Sequence, residues 1–263
     1  MTALGGTSVG GSTVERIMVQ GLDLSAEVIG KANLGDMLFL LVGRRLPTSD
    51  ESVVFNAVLV SIADHGITPN ALAARLTYTG APEALQGAVA AGLLGIGGVI
   101  LGVAEHTARL MQEGIARAAA LDDASLTEVA DALLDGFPPG TRLPGIGHPI
   151  HKAGDPRLDV LFALAREHGL YGPHCRLFEI FGERANQRLG LNLPLNAAGA
   201  GGSILSDLGF SWKIVRGVML VARAAGMVGH LAEEQEHPIG WEVWREIEGR
   251  VTYHAPEDRG VGR

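Results

Sequence analysis

Apolar residues recur at spacings of three and four along most of the chain, which is the period of a helix with one buried face. Alternating valine-rich runs bounded by turns, which would indicate strands, are nearly absent. The pattern therefore predicts an all-α fold. The predicted helices span residues 13–20, 24–31, 34–44, 50–65, 69–78, 82–95, 98–119, 125–136, 156–169, 173–189, 197–208, 211–229 and 239–248.

Glycine interrupts many of these predicted helices, since the chain has 37 glycines in 263 residues. Each glycine in a helix interior costs up to about 1 kcal/mol relative to alanine. We therefore expect these glycines at places where helices touch closely or where the backbone approaches a ligand.

Length and composition predict a globular protein, because 263 residues of which 47% are hydrophobic can bury a core as one domain or as two lobes. The formal net charge of −8 argues against binding to nucleic acid or anionic membranes, so small molecules or protein partners are expected. Glycines break the apolar stretch 87–104, which is not expected to span a membrane. A single cysteine, Cys175, and the lack of a recognisable signal peptide predict a cytoplasmic protein.

The stretch GIGHPIHKAGDPR, residues 145–157, carries the clearest chemical pattern in the chain. Gly145 and Gly147 allow unusual backbone angles before His148, and Pro149 restricts the chain after it. We therefore expect the histidine to be presented on a rigid loop that a ligand can approach closely.

A helix is predicted to begin directly after this loop, at Asp155 and Pro156. Arg157 lies in the first turn of that helix, and Lys152 lies between it and His148. A ligand with a carboxylate or phosphate could meet an imidazole, a cation and the amides of a helix start there.

Four stretches in order resemble the citrate synthase superfamily and, within it, the citryl-CoA lyase module at the C-terminal end of ATP citrate lyase. Residues 145–157 are similar to a G-x-G-H-x-(V/I)-x-K…D-P-R segment of that family. The other stretches are GDMLFLLVGRRLP (35–47) with SIADHG (61–66), the glycine-rich segment 75–110, and ARAAGMVGHLAEEQEHP (222–238). Together the resemblance covers roughly residues 30–250.

The resemblance implies a large helical domain from residues 1–110 and 216–263 and a smaller one from 111–215, with the site in the cleft. It further implies a homodimer that binds coenzyme A as an acyl-CoA, together with an oxo-acid or related carbonyl compound. The reaction would form or cleave a carbon–carbon bond between these two substrates. No metal is expected, and the nine histidines form no H-E-x-x-H motif.

The resemblance also assigns roles to four residues at the substrate. His148 would donate a hydrogen bond to the carbonyl or hydroxyl oxygen on which charge develops. His65 would orient the substrate, and Gly66 and Pro69 would end one helix and start another around it. Arg157 would bind a carboxylate, and Asn196 is the retained part of an N-V-D substrate segment.

Coenzyme A would be bound by four further residues. Lys152 and Arg142 are candidates for its phosphates, although a solvated role for both cations stays open. Gly145 and Gly147 would let the backbone come close to the cofactor.

The sequence departs from the family at the positions that move protons. The acid/base aspartate of the N-V-D segment corresponds to Ala198, which cannot carry a proton, and a histidine that supports the enolate in citrate synthases corresponds to Leu101. Glu105 lies one helical turn beyond Leu101 and is the first candidate for the missing base. His106 and His151 are the next candidates.

Anion-binding positions differ as well, since Pro149 and Glu236 stand where relatives carry arginines. Arg157 is then the one citrate-binding cation that matches, so a less carboxylated hydroxyacyl-CoA, or a ketone or aldehyde partner, is also compatible. Two functions stay open. The chain is either a citryl-CoA lyase-like or citrate synthase-like enzyme, or a non-catalytic protein that binds an acyl-CoA or an organic acid on the same scaffold.

Overall fold

A computed structural model of the chain describes residues 5–148 and 151–254. Helices dominate these residues, which confirms the predicted fold class. The helices are α1 (Leu34–Gly43), α2 (Ser49–Ala63), α3 (Pro69–Gly80), α4 (Leu85–Leu94), α5 (Gly102–Ile115), α6 (Asp123–Asp135), α7 (Pro156–Glu167), α8 (Pro173–Leu189), α9 (Ala197–Asp207), α10 (Trp212–Glu236) and α11 (Gly240–Glu248). Pro149, which was predicted to restrict the chain after His148, lies outside the described residues.

The prediction of a helix over residues 13–20 is wrong, because this segment belongs to a small antiparallel sheet. Its strands are β1 (Gly10–Ser12), β2 (Ile17–Val19) and β3 (Leu22–Asp23), in that order. Val19 pairs with Leu22, so the turn consists of Gln20 and Gly21, with φ angles of 48° and 84°. Positive φ at both turn residues is the geometry of a tight two-residue hairpin. The segment predicted as helix 24–31 is a π-helical turn over Leu24–Val28.

Contacts within the chain divide it into two units. The first comprises Met1–Asp64 and Ile96–Arg223, and the second comprises His65–Gly95 and Ala224–Arg263. The second unit thus contains α3, α4, the last part of α10 and α11. The resemblance implies a different division, into one domain of residues 1–110 with 216–263 and another of residues 111–215. That division stays a prediction.

In the first unit, α5 and α9 pack against each other so closely that only glycine fits between them. A Cβ on Gly202 would overlap with the carbonyl oxygen of Ala104. Further along the same pair, Gln112 Nε2 donates to Ser206 Oγ at 2.9 Å. Position 202 of α9 lies beside position 104 of α5, and position 206 lies beside position 112. Because the residue numbers rise in the same direction along both helices, the helices run parallel and begin at the same end. Every residue from 196 to 206 is buried except Ala198, which is partly accessible.

The second unit has its own core between α3, α4 and the last part of α10. Small and flexible apolar side chains fill this core: Ala71, Ala74, Ala88, Met227 and Leu231. Arg75 is buried beside them and forms ion pairs with Glu234, at 2.7 Å, and with Glu233. Arg75 Nε also donates to His230 Nδ1 at 3.3 Å. Buried charges are tolerated when paired in this way.

One helix within the described ranges, α10, is long and apolar enough by length and composition alone to cross a membrane. Its most apolar 18-residue window has a mean hydropathy of 1.4, and 39% of that window is buried. A helix in the core of a folded protein meets the same criterion, so this feature is weak evidence for a membrane span.

Candidate functional site

The loop that carries His148 is fastened to the segment before α9. Gly145 and Gly147 have φ angles of +79° and +83°, which L side chains rarely adopt. Gly147 donates its N–H to the Pro194 carbonyl at 2.6 Å, and its own carbonyl accepts from Asn196 Nδ2 at 2.9 Å. Asn196 also donates its backbone N–H to the Gly145 carbonyl at 2.9 Å. The rigid loop expected from the sequence is therefore held by hydrogen bonds on both of its glycines.

The tautomer of His148 follows from its backbone contact. The N–H of His151 donates to His148 Nδ1 at 2.9 Å. The centroids of the two imidazole rings lie 4.4 Å apart, and the angle between the ring planes is 35°. A ring nitrogen that accepts a hydrogen bond carries no proton, so the neutral ring has its proton on Nε2. His148 is thus set up as a hydrogen-bond donor through Nε2, and its side chain is only partly buried.

Asp155 connects the start of α7 with the start of α9. Its carboxylate accepts from the Arg157 side chain at Nε and Nη2, both at 2.9 Å, and from the Ala197 N–H at 2.9 Å. Burial alone would raise the pKa of Asp155. The hydrogen bonds from Arg157 and Ala197 outweigh burial and lower that pKa to about 2. The group is therefore a permanent anion at neutral pH.

Two helix starts meet at Asp155. Asp155 caps α7 and binds the first N–H of α9, while α5 begins at the same end as α9 because the two helices run parallel. The start of each helix carries a partial positive charge and N–H groups without intrahelical partners. Arg157 adds a full charge, and its Nη1 donates to the Ser61 carbonyl at 3.1 Å. The arrangement favours an anionic ligand.

Arg223 is a second cation, close enough to Arg157 for the two charges to interact, and the sequence did not predict it. Its residue is 5% exposed, and its Nε has no hydrogen-bond partner among the described residues. Burial lowers the pKa of Arg223, Asp64 opposes this effect, and the nearby charge of Arg157 adds to it. An arginine in the middle of the apolar run of α10 was the available signal, because a buried guanidinium requires a partner.

Glu105, the predicted base, lies in the first turn of α5 and is paired with a cation. Its Oε2 lies 2.7 Å from Arg216 Nε. The preceding Leu101 adopts the left-handed region with φ +64°, which costs a non-glycine residue about 1–2 kcal/mol. The role of Glu105 as a base stays a prediction. The sequence did not predict its ion pair with Arg216.

The remaining predicted residues differ in what they contact. The Asn196 side chain caps α9 at the Gly199 N–H, in addition to its bond to Gly147, so its polar groups hold the loop. A Cβ on Gly145 would lie 2.5 Å from the Phe178 ring, so this glycine is required by packing. A Cβ on Gly147 would meet nothing within 4 Å, so a ligand could approach there.

Other predicted residues lie at the surface or in the second unit. Arg142, Lys152 and His106 are exposed, and His151 stacks on His148. His65 is the first residue of the second unit and is partly buried. Around it, α2 ends at Ala63 and α3 begins at Pro69, which agrees with the expected break.

Metal ligands do not cluster in the part of the chain that the structure describes. Residues 5–148 and 151–254 contain no group of three His, Cys, Asp or Glu side chains arranged to hold a metal ion. The polar groups that the described residues bring together at the candidate site are hydrogen-bond donors, guanidinium groups and the N–H groups of helix starts.

Comparison with known proteins gives a consistent result. The family described as "Citrate synthase, C-terminal domain" matches residues 11–245. The probable ATP-citrate synthase of Dictyostelium discoideum is 25% identical over 86% of this chain, which spans 38% of that relative's length. The structure of citryl-CoA lyase from Hydrogenobacter thermophilus is similar with a TM-score of 0.86, at 29% identity, covering 99% of this chain and 98% of that one.

The fold is also shared with ATP citrate lyase from Methanothrix soehngenii, whose structure was determined in complex with citrate and coenzyme A. That similarity has a TM-score of 0.79 at 21% identity and covers 100% of this chain and 44% of the other. A family match over residues 11–245, on a mostly helical fold shared along the full length with citryl-CoA lyase, shows that the chain belongs to the citrate synthase family.

Proposed function

We propose that the protein is an enzyme that forms or cleaves a carbon–carbon bond beside a coenzyme A thioester, with an oxo-acid or a related carbonyl compound as the other reactant. The observation that carries this proposal is the hydrogen bond of 2.9 Å from the His151 N–H to His148 Nδ1, which leaves the proton of the neutral ring on Nε2. Its Nε2–H can then donate to a carbonyl or hydroxyl oxygen at the moment when that oxygen becomes negative.

The substrate acid would bind where the starts of α7 and α9 meet. Arg157 is 26% exposed and uses three of its five side-chain N–H groups in bonds to described residues, which leaves two that a ligand can accept from. Arg223 supplies a second guanidinium whose Nε has no hydrogen-bond partner among the described residues. A bound carboxylate would offset the repulsion between the two cations. Two guanidinium groups fit an acid with one or two carboxylates.

Coenzyme A is proposed from the relatives, since one neighbouring structure contains it together with citrate. Exposed Arg142 and Lys152 are suited to its phosphates, and the backbone at Gly147 leaves room for it. We further propose that His65 orients the substrate and that the protein is a cytoplasmic homodimer.

The test is turnover with a panel of acyl-CoAs and 2-oxo acids, measured as release of free CoA thiol, and in reverse with citryl-CoA. We expect His148→Ala to lower kcat about 10²–10³-fold, the usual effect of removing one such donor. His168→Ala is the matched control, because His168 follows the opposite end of α7, about 18 Å from its start. Equal activity of the native protein and His148→Ala would refute the role of His148.

A second function, binding without catalysis, is favoured by one observation. The carboxylates Glu105 and Asp155 lie beside arginines, and the position expected for the family's acid/base residue is Ala198. Calorimetric binding of an acyl-CoA without any turnover across the panel would establish this second function.

A further inference from the structure

The carboxylate nearest to the histidine loop cannot accept a proton from a substrate. Asp155 receives hydrogen bonds from Arg157 at N, Nε and Nη2 and from the Ala197 N–H, at distances between 2.9 and 3.2 Å. A carboxylate has about four lone-pair sites, and these four bonds occupy them. Asp155 therefore positions the two helices and leaves proton transfer to another group.

Two further carboxylates of the first unit, Asp64 and Glu105, interact with arginines. The negative charge of Asp64 raises the pKa of Arg223, whose residue is only 5% exposed. Glu105 lies 2.7 Å from Arg216. In the part of the chain that the structure describes, Asp155 and Glu105 are each held in an ion pair with an arginine.

An enolate can arise without a base if a bond to the α-carbon breaks and leaves its electron pair behind. Loss of CO2 from a malonyl-type thioester, which carries a carboxylate on its α-carbon, does this. The one partly accessible residue between 196 and 206 is Ala198, whose methyl group lies in the first turn of α9. An uncharged methyl there would not repel the substrate carboxylate, and the positive end of α9 would stabilise the enolate oxygen.

We propose that this site takes a malonyl-type thioester of coenzyme A and condenses it, with loss of CO2, with a ketone or aldehyde. The inference rests on the function proposed above and names its substrate class. The bond between the α-carbon and the carboxylate carbon breaks, CO2 leaves, and the electron pair stays on the thioester enolate. The α-carbon then bonds to the acceptor's carbonyl carbon. The resulting alkoxide takes the Nε2 proton of His148, which solvent replaces, so one proton is consumed for each CO2 released.

The decisive experiment compares carboxyl-labelled malonyl-CoA with acetyl-CoA in heavy water, with a panel of 2-oxo acids and aldehydes as acceptors. We expect the native protein to release labelled CO2 faster than a protein-free control and to leave the α-protons of acetyl-CoA unexchanged. Exchange of those protons by the native protein would overturn the inference, because it requires a base. Binding of both thioesters without either reaction would also overturn it, while leaving coenzyme A thioester binding intact. Failure of both thioesters to bind would refute the proposed function itself.

Two substitutions at Ala198 sharpen this comparison. Ala198→Asp places a carboxylate in the first turn of α9, where a negative charge is tolerated, so the variant should fold. It should exchange acetyl-CoA α-protons about 10²-fold faster than the protein-free control, the lower range of general-base catalysis, and release less CO2 from malonyl-CoA than the native protein because like charges repel. Ala198→Asn has the same shape without the charge and should gain no exchange. Undiminished CO2 release by Ala198→Asp would contradict the placement of the substrate carboxylate beside Ala198.

Discussion

Single polar residues decide the geometry of this site, and Asp155 is the clearest example. Its carboxylate is buried and accepts hydrogen bonds from the beginnings of two helices. Such bonds favour the ionised form, which links protein stability to pH.

The pH dependence of unfolding should report this contribution. Because the pKa of Asp155 is lowered to about 2, the stabilisation is fully present above the unfolded-state pKa of about 4 and is lost as pH falls through about 2. We expect the difference in unfolding free energy between the native protein and Asp155→Asn to shrink by about 2 kcal/mol over this range. Urea unfolding at a series of pH values measures it, and a difference that stays constant with pH would contradict the assignment.

At this scale the sequence indicated the local features and missed the long-range pairs. The glycine-flanked His148 and the start of α7 at Asp155 and Pro156 follow from neighbouring residues, and the structure has both as expected. The ion pair of Glu105 with Arg216 and the charge interaction of Asp64 with Arg223 join distant parts of the chain. No local pattern encodes which distant side chain a charge will meet.

Among the helices, the pairing of α5 with α9 depends on the absence of a side chain at Gly202. We expect Gly202→Ala to destabilise the protein by about 1–3 kcal/mol, since the new methyl would overlap with the Ala104 carbonyl and force the helices apart. Gly229→Ala in α10 is the matched control. Its Cβ would meet nothing within 4 Å, so better helix propensity should raise stability by about 0.5–1 kcal/mol. Thermal unfolding of both variants should show midpoints shifted in opposite directions, and a neutral Gly202→Ala would refute the close contact.

Most elements could be predicted from the sequence because a helical period is visible over ten or more residues. The predicted helix 173–189 agrees with α8 at both ends. Strands of two or three residues, such as β2 and β3, are too short to show an alternating period. The helix predicted over 211–229 continues in the structure to Glu236, because a glycine such as Gly229 that often follows a helix end lies here inside the helix.

At the scale of the whole molecule, the proposed homodimer predicts the mass of the protein in solution. We expect sedimentation at twice the chain mass of 27.5 kDa. Of the three tryptophans, Trp241 and Trp244 lie on α11 and are 53% and 51% exposed. If association covers α11, quenching of their fluorescence by acrylamide should fall as protein concentration rises. Sedimentation as a monomer at micromolar concentration would contradict the dimer, and unchanged quenching in a dimer would exclude α11 from the interface.

The sharing of Asp155 between α7 and α9 has a consequence for how this sequence can change. A substitution that moves the beginning of one helix alters the acceptor on which the other depends. The residues around positions 155 and 197 therefore form a coupled set, in which double substitutions should be strongly non-additive. Variation in the histidine loop is constrained in the same way, because Asn196 ties that loop to the beginning of α9. Variation is thus easiest at Ala198, whose side chain is the partly accessible one among its buried neighbours.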